Sequence, residues 1–179
     1  MRIAALICAA AFFSNAAEYR LKLHDKIVSI SSETAPATVI VFFSGICPIS
    51  NSYLERLNEL FAAYSGRGIQ FAFVNPNINE SQSDVERHAK ANQLAFPVYT
   101  DPGQALADRL GAQMTPEVFV FDRSGETRYH GRIDDAVNPA RVRNHDLRDA
   151  LDLILAGGHM ADPKRETRAF GCTIKRRRT

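Results

Sequence analysis

Cysteine is scarce in this chain: Cys8, Cys47 and Cys172 are the full complement in 179 residues. No two of them form a Cys-x-x-Cys pair, and the five histidines, at 24, 88, 130, 145 and 159, show no His-x-His spacing. The spacing signatures of a metal centre are therefore missing. There is no glycine-rich phosphate loop, so no organic cofactor is implied. Net charge is only +2, which argues against a nucleic-acid-binding body. No apolar run is long enough to cross a membrane, and no internal repeat is found. Hydrophobic residues make up 45% of the chain, a globular rather than a disordered composition. The length suits one domain with a sizeable core.

The two ends of the chain differ from the body. Met1 and Arg2 give a short positive start, residues 3–13 are apolar, and Ser14, Asn15 and Ala16 end in small residues. This pattern predicts a secretory signal peptide over residues 1–16, and hence a protein exported to the periplasm or the extracellular space. Cleavage there removes Cys8 and leaves Cys47 and Cys172, two thiols in an oxidising compartment. At the other end, residues 159–179 carry Lys164, Arg165, Arg168, Lys175, Arg176, Arg177 and Arg178. They read as a basic tail carrying Cys172, either a solvated end or a contact for an acidic partner or an anionic membrane surface.

Between them, residues 17–158 alternate between strand and helix patterns. Residues 18–32 suggest a hairpin. "TVIVFFS" (38–44) and "IQFAFVN" (69–75) are continuous apolar runs, expected of buried central strands. After the first, Tyr53, Leu57, Leu60, Phe61 and Tyr64 recur at helical spacing. Ser83 with Glu86 suggests a capping box opening a second helix. A short helix before Gly111 follows, then "EVFVFD" (117–122) with a hairpin partner. Leu147, Ala150, Leu151, Ile154 and Leu155 mark a last helix. Strand–helix–strand units imply parallel pairing with crossover helices, and the hairpin adds antiparallel strands. The expected fold class is α/β, a central mixed β-sheet flanked by helices.

Cys47 falls at the first strand-to-helix turn, with Pro48 suited to the first helical position. A thiol there meets unpaired backbone N–H groups and the positive helix end, both of which favour the reactive thiolate. Position alone leaves two readings open, a nucleophile or a buried inert cysteine. Later in the chain, Thr115-Pro116 directly precedes a buried strand, an unusual place for a residue that cannot donate to a ladder.

Cys47-Pro48-Ile49-Ser50 at a strand–helix turn, with Thr115-Pro116 before a later strand, resembles the thioredoxin fold. Together "CPISNSYLERL", "TPEVFVFD", "GRIDD", "HDLRDAL" and "TRAFGCTI" resemble an exported branch of the redoxin superfamily. That superfamily joins alkyl hydroperoxide reductase and thiol-specific antioxidant (AhpC/TSA) proteins with thioredoxin-like ones. The resemblance spans residues 37–174. It implies a thioredoxin-like fold, Cys47 as redox nucleophile, and Pro116 as a cis-proline facing it. Ser50 stands where a second cysteine belongs. Thr115 would offer backbone groups to an extended substrate segment, with Pro48, Met114 and Glu117 beside it as substrate-binding residues. A peroxiredoxin pattern is incomplete, since Ile40 stands at its proline place and Ser44 at its threonine place.

The expected activity is thiol–disulfide exchange centred on Cys47, with a thiol or disulfide protein as electron donor or acceptor. Cys172, in the apolar island "AFGCTI", either docks and resolves Cys47 or remains a free or intermolecular thiol. The alternatives are a peroxiredoxin-like antioxidant peroxidase and a redox-inactive binding or copper-chaperone module. Mass spectrometry of the exported protein is expected to find a chain beginning at Ala17; retention of residues 1–16 would remove the basis for export.

Overall fold

A computed structural model describes residues 18–157 and 165–177. The expected signal peptide, Cys8 and the first residues of the C-terminal segment lie outside the described residues. The strands are β1 Glu18–Leu23, β2 Lys26–Ser31, β3 Ala37–Phe42, β4 Gln70–Asn75, β5 Val98–Thr100, β6 Met114–Thr115, β7 Glu117–Asp122, β8 Thr127–Gly131, β9 Arg165–Glu166 and β10 Cys172–Thr173. The helices are α1 Pro48–Asn51, α2 Leu54–Ser65, α3 Gln82–Ala91, α4 Ala105–Leu110 and α5 Asp146–Leu155.

Eight strands form a mixed sheet in the order β2-β1-β5-β4-β3-β7-β8-β9. β3 lies at its centre, parallel to β4 and antiparallel to β7. Every residue of β3 is buried, because helices cover both faces and both sides of the strand are predominantly apolar. Alternate side chains then separate into two cores. Val39, Val41, Phe71, Phe73, Val118 and Val120 face α2, α3 and α5, meeting Leu57, Leu60, Val85, Leu147 and Leu151. Ile40, Phe42, Ala72, Val74, Phe119 and Phe121 face the other way, toward Leu106 and Ala107 of α4.

Two local expectations differ from the structure. The capping box of α3 is made by Ser81 and Asp84, not by Ser83 and Glu86. Ser81 is extended (φ −73°, ψ 162°), so its Oγ accepts the Asp84 N–H while the Asp84 carboxylate accepts the Ser81 N–H. Ser83 already lies within the first turn of α3 and so cannot be its N-cap. The second difference concerns the C-terminal segment, for which a solvated basic end is one of the readings. Residues 165–177 are laid on the domain: β9 pairs with β8, and β10 pairs with β6. Phe170 packs against the first core and Ile174 is buried in the second. Arg176 pairs with Asp108 of α4, so part of the tail's basic charge is used within the chain.

Gly131 permits the first of these attachments. Its φ of 144° suits glycine, and a Cβ there would collide with the carbonyl and hydroxyl of Thr167. Gly131→Ala is expected to destabilise the fold by about 2–4 kcal/mol, read as a lower urea midpoint. An unchanged midpoint would show that the segment sits on β8 without this close approach.

Candidate active site

β3 and β7 deliver the two halves of the site side by side. Their register puts Phe42, the last residue of β3, opposite Glu117, the first of β7. The chain that leaves β3 leads to Cys47, and the chain that enters β7 arrives through Thr115 and Pro116. Cys47 is the N-cap of α1, with Pro48 at its first turn. Cys47 is only 1% exposed, whereas Pro48 is exposed. The Ser50 N–H points at the Cys47 sulfur at 3.4 Å. This contact runs through the Ser50 backbone. Its buried hydroxyl has no hydrogen-bond partner among the described residues.

The Thr115–Pro116 peptide is cis, and both residues are buried. The Thr115 carbonyl oxygen lies 3.1 Å from the Cys47 sulfur. In the bonded state that sulfur carries no proton, so this is a close approach; a reduced Cys47 thiol would donate to the same oxygen. β10 lies antiparallel to β6, with Cys172 opposite Thr115 and Thr173 opposite the half-buried Met114. Cys47 and Cys172, 125 positions apart, are joined by a disulfide with their Cα atoms 5.9 Å apart.

Each loop rests on a buried carboxyl group. Glu117 lies beneath the Met114–Thr115 side, and its Oε2 accepts the N–H groups of Gln113 and Met114 at 2.7 and 2.8 Å. Its Oε1 meets Nε2 of His130 at 2.7 Å. Glu117 thus has one oxygen holding the loop and the other paired with β8, and neither is presented outward. Burial pushes its pKa up, but the His130 ring and the two backbone N–H groups outweigh burial and hold the carboxyl below its ordinary 4.5. Glu80 supports the Cys47 side. It accepts from the Ser44 hydroxyl at 2.6 Å, from the Gly45 N–H at 2.8 Å and from the Asn77 amide at 2.8 Å.

His88 completes this support. The Asn51 amide nitrogen donates to the Gly45 carbonyl at 2.8 Å, which leaves Asn51 Oδ1 to meet His88 Nε2 at 2.9 Å. An amide oxygen only accepts, so Nε2 carries the proton. Burial lowers the His88 pKa, with Glu80 opposing the shift. Gly45 allows the ring in, since a Cβ there would come within 2.8 Å of the imidazole.

Glu80, His88, Asn51 and His130 carry no motif spacing, and their sequence neighbourhoods do not single them out. Among the described residues, no group of three or more His, Cys, Asp and Glu side chains is arranged to hold a metal ion. No described helix is long and apolar enough to cross a membrane.

A redox cysteine at a helix start, beside a cis-proline and carried on a central mixed sheet, is what the thioredoxin resemblance implies; here its partner comes from β10 instead of position 50. The family model of the AhpC/TSA family matches residues 13–130. The chain belongs to the AhpC/TSA family. It is 25% identical to the thiol-disulfide oxidoreductase ResA of Geobacillus thermodenitrificans over 87 residues, 49% of this chain and 49% of that one. It is 27% identical over 90 residues to the sporulation thiol-disulfide oxidoreductase A of Bacillus subtilis, 50% of this chain and 54% of that one. The chain thus spans about half the length of these relatives. An uncharacterized conserved protein from Geobacillus kaustophilus superposes with a TM-score of 0.82 at 26% identity, covering 92% of both chains. The fold is thioredoxin-like. It is shared with a thiol:disulfide interchange protein of the thioredoxin family from Chlorobium tepidum TLS (TM-score 0.58, 21% identity, 79% of this chain and 96% of that one).

The Glu117 interactions set a pH dependence. A carboxyl group held below its unfolded value stabilises the fold above that value, and the contribution is lost as pH falls through the folded value. The stability difference between the wild type and Glu117→Gln is therefore expected to be full above pH 4.5 and to shrink below it. Denaturant titrations across acid pH measure this. A difference independent of pH would mean that the ionised form of Glu117 is not what grips the loop.

Proposed function

We propose that this protein is an exported thiol–disulfide oxidoreductase with two working thiols, Cys47 as nucleophile and Cys172 as resolving thiol. One observation carries the reading: two cysteines remote in sequence are bonded beside the cis-Pro116 peptide, at a helix start. The names of the relatives agree with it, as both are thiol-disulfide oxidoreductases. Export rests on the composition of residues 1–16 and on the use of a disulfide.

In the reduced state, the Ser50 N–H and the start of α1 favour a Cys47 thiolate. The thiolate attacks one sulfur of a substrate disulfide, forming a mixed disulfide and releasing one thiolate. Cys172, seated opposite Thr115, then attacks the Cys47 sulfur. The substrate's second thiolate leaves and the intramolecular bridge closes. Two electrons pass to the substrate, and a partner thiol protein restores the reduced state. Thr115 and Pro116 shape the surface beside the sulfur. Met114 and Pro48 flank it, and Glu117 holds the loop from below. The Ser50 hydroxyl, without a hydrogen-bond partner among the described residues, is within the same turn and can rotate toward a Cys47 thiolate.

A thiol peroxidase is the second reading, favoured by the AhpC/TSA match. The Ser44 hydroxyl, at the place where a peroxiredoxin has its threonine, is committed to Glu80 at 2.6 Å. That geometry leaves it poorly placed to polarise a peroxide, so exchange is preferred.

The pH profile of alkylation of the reduced protein tests the reading. Cys47 is expected to titrate below about 7.5, against about 8.5 for an ordinary thiol. Cys47→Ser is expected to abolish disulfide reduction, while Cys172→Ser accumulates the mixed disulfide. An unperturbed Cys47, or peroxide consumption far faster than disulfide reduction, would displace exchange as the activity.

A further inference from the structure

An extended polypeptide that meets a sheet edge gains main-chain hydrogen bonds by adding a strand. In this protein the edge beside Cys47 is β6, and it is already paired. Cys172 and Thr173 lie opposite Thr115 and Met114. The Ile174 N–H donates to the Gln113 carbonyl at 2.9 Å, and the Thr115 hydroxyl donates to the Cys172 carbonyl at 3.4 Å. Gly171 passes so close to the Thr115 carbonyl that a Cβ there would collide with it.

The disulfide is not the only thing that keeps this segment in place. On one side, Ile174 is buried at 3% exposure. The Lys175 N–H donates to Asn77 Oδ1 at 2.7 Å, and its carbonyl accepts from the Ile78 N–H at 3.2 Å and the Gln104 side chain at 3.0 Å. On the other side, the Thr167 N–H donates to the His130 carbonyl at 2.9 Å, and the Thr167 hydroxyl meets Tyr129 and Arg132. Phe170 packs near Tyr53. None of these contacts is made by the two sulfurs.

We propose that residues 166–177 are a fixed strap, seated on β6 in both redox states, which closes that edge to extended polypeptides and restricts the substrate of Cys47 to low-molecular-weight disulfides. The proposal rests on the exchange reading above and names its substrate class. A small disulfide, RSSR, reaches the sulfur past the half-exposed Cys172 and the exposed Ile46 and Pro48, without displacing a strand. The Cys47 thiolate takes one RS group and releases the other as a thiolate. Cys172 then displaces the second RS thiolate as the bridge closes. Two protons from solvent complete two RSH molecules.

The test uses the full chain carrying Cys172→Ser, so that a mixed disulfide at Cys47 accumulates. Glutathione disulfide is compared with a disulfide-linked peptide whose cysteines have extended flanks on both sides. Glutathione disulfide is expected to modify Cys47 at least about tenfold faster than the peptide does. Gly171→Ala, which forces the strap off Thr115, is expected to narrow the gap to about threefold by accelerating the peptide reaction. If that variant does not fold, Gln104→Ala with Thr167→Ala removes side-chain partners at both ends of the strap and gives the same comparison. Equal rates with the strap seated overturn the substrate class alone. Reaction with neither disulfide overturns the exchange reading, and the substrate class with it. Hydrogen exchange of the reduced wild type supplies a readout independent of activity. The Thr167, Ile174 and Lys175 amides are expected to stay protected, and exchange at free-chain rates would overturn the fixed strap.

Discussion

Cys172 lies opposite Thr115 in a two-residue antiparallel pair, and the geometry of the site depends on that register. Side chains alternate along an extended segment, so a slip of one residue would turn Cys172 away from Cys47. The register is fixed from outside the pair. Thr167 is bound to β8, Ile174 is buried in the core beside α4, and Lys175 is bound by Asn77, Ile78 and Gln104. Gly171 supplies the close approach that lets the segment lie against the Thr115 carbonyl.

The other side of the site is fixed by the central sheet. Phe42 opposite Glu117 brings the ends of two adjacent strands together, so both loops leave the sheet at one place. Each loop then needs its backbone N–H groups satisfied. Glu80 does this for Gly45, and Glu117 for Gln113 and Met114. A carboxyl group has several acceptor sites and can gather donors from neighbouring residues of one loop. Two buried carboxyl groups thereby rigidify the two surfaces between which the sulfurs lie. This is the kind of support that an exchange site needs, because the attacking and leaving sulfurs must line up.

Much of the fold was legible in the chain. The apolar runs at residues 38–44 and 69–75 and the "EVFVFD" segment became β3, β4 and β7, the three adjacent central strands. They were readable because a strand buried on both faces is apolar along most of its length. Pro48 and the helical spacing after it placed Cys47 at a helix start. The α3 cap was misread by two residues, because Ser81 and Ser83 both precede an acidic residue at the right spacing and only the backbone angles distinguish them. Residues 159–179 show no strand or helix period and read as a tail, because pairings of two residues, as in β9 and β10, are too short to leave a period.

The sequence by itself determined the layered α/β architecture, the position of Cys47 at a strand–helix turn and the unusual Thr115-Pro116 step. These follow from local spacing and backbone chemistry, which act between near neighbours. Only the tertiary structure decided that Cys172 lies against Cys47 and that Glu80 and His88 sit beneath the Cys47 loop. Those contacts join positions 35 or more apart for Glu80, 37 for His88 and Asn51, and 125 for the two cysteines. No local pattern encodes such distances. They arise from the order in which β3, β4 and β7 pair, and from the anchors that hold the last described segment across the edge of β6.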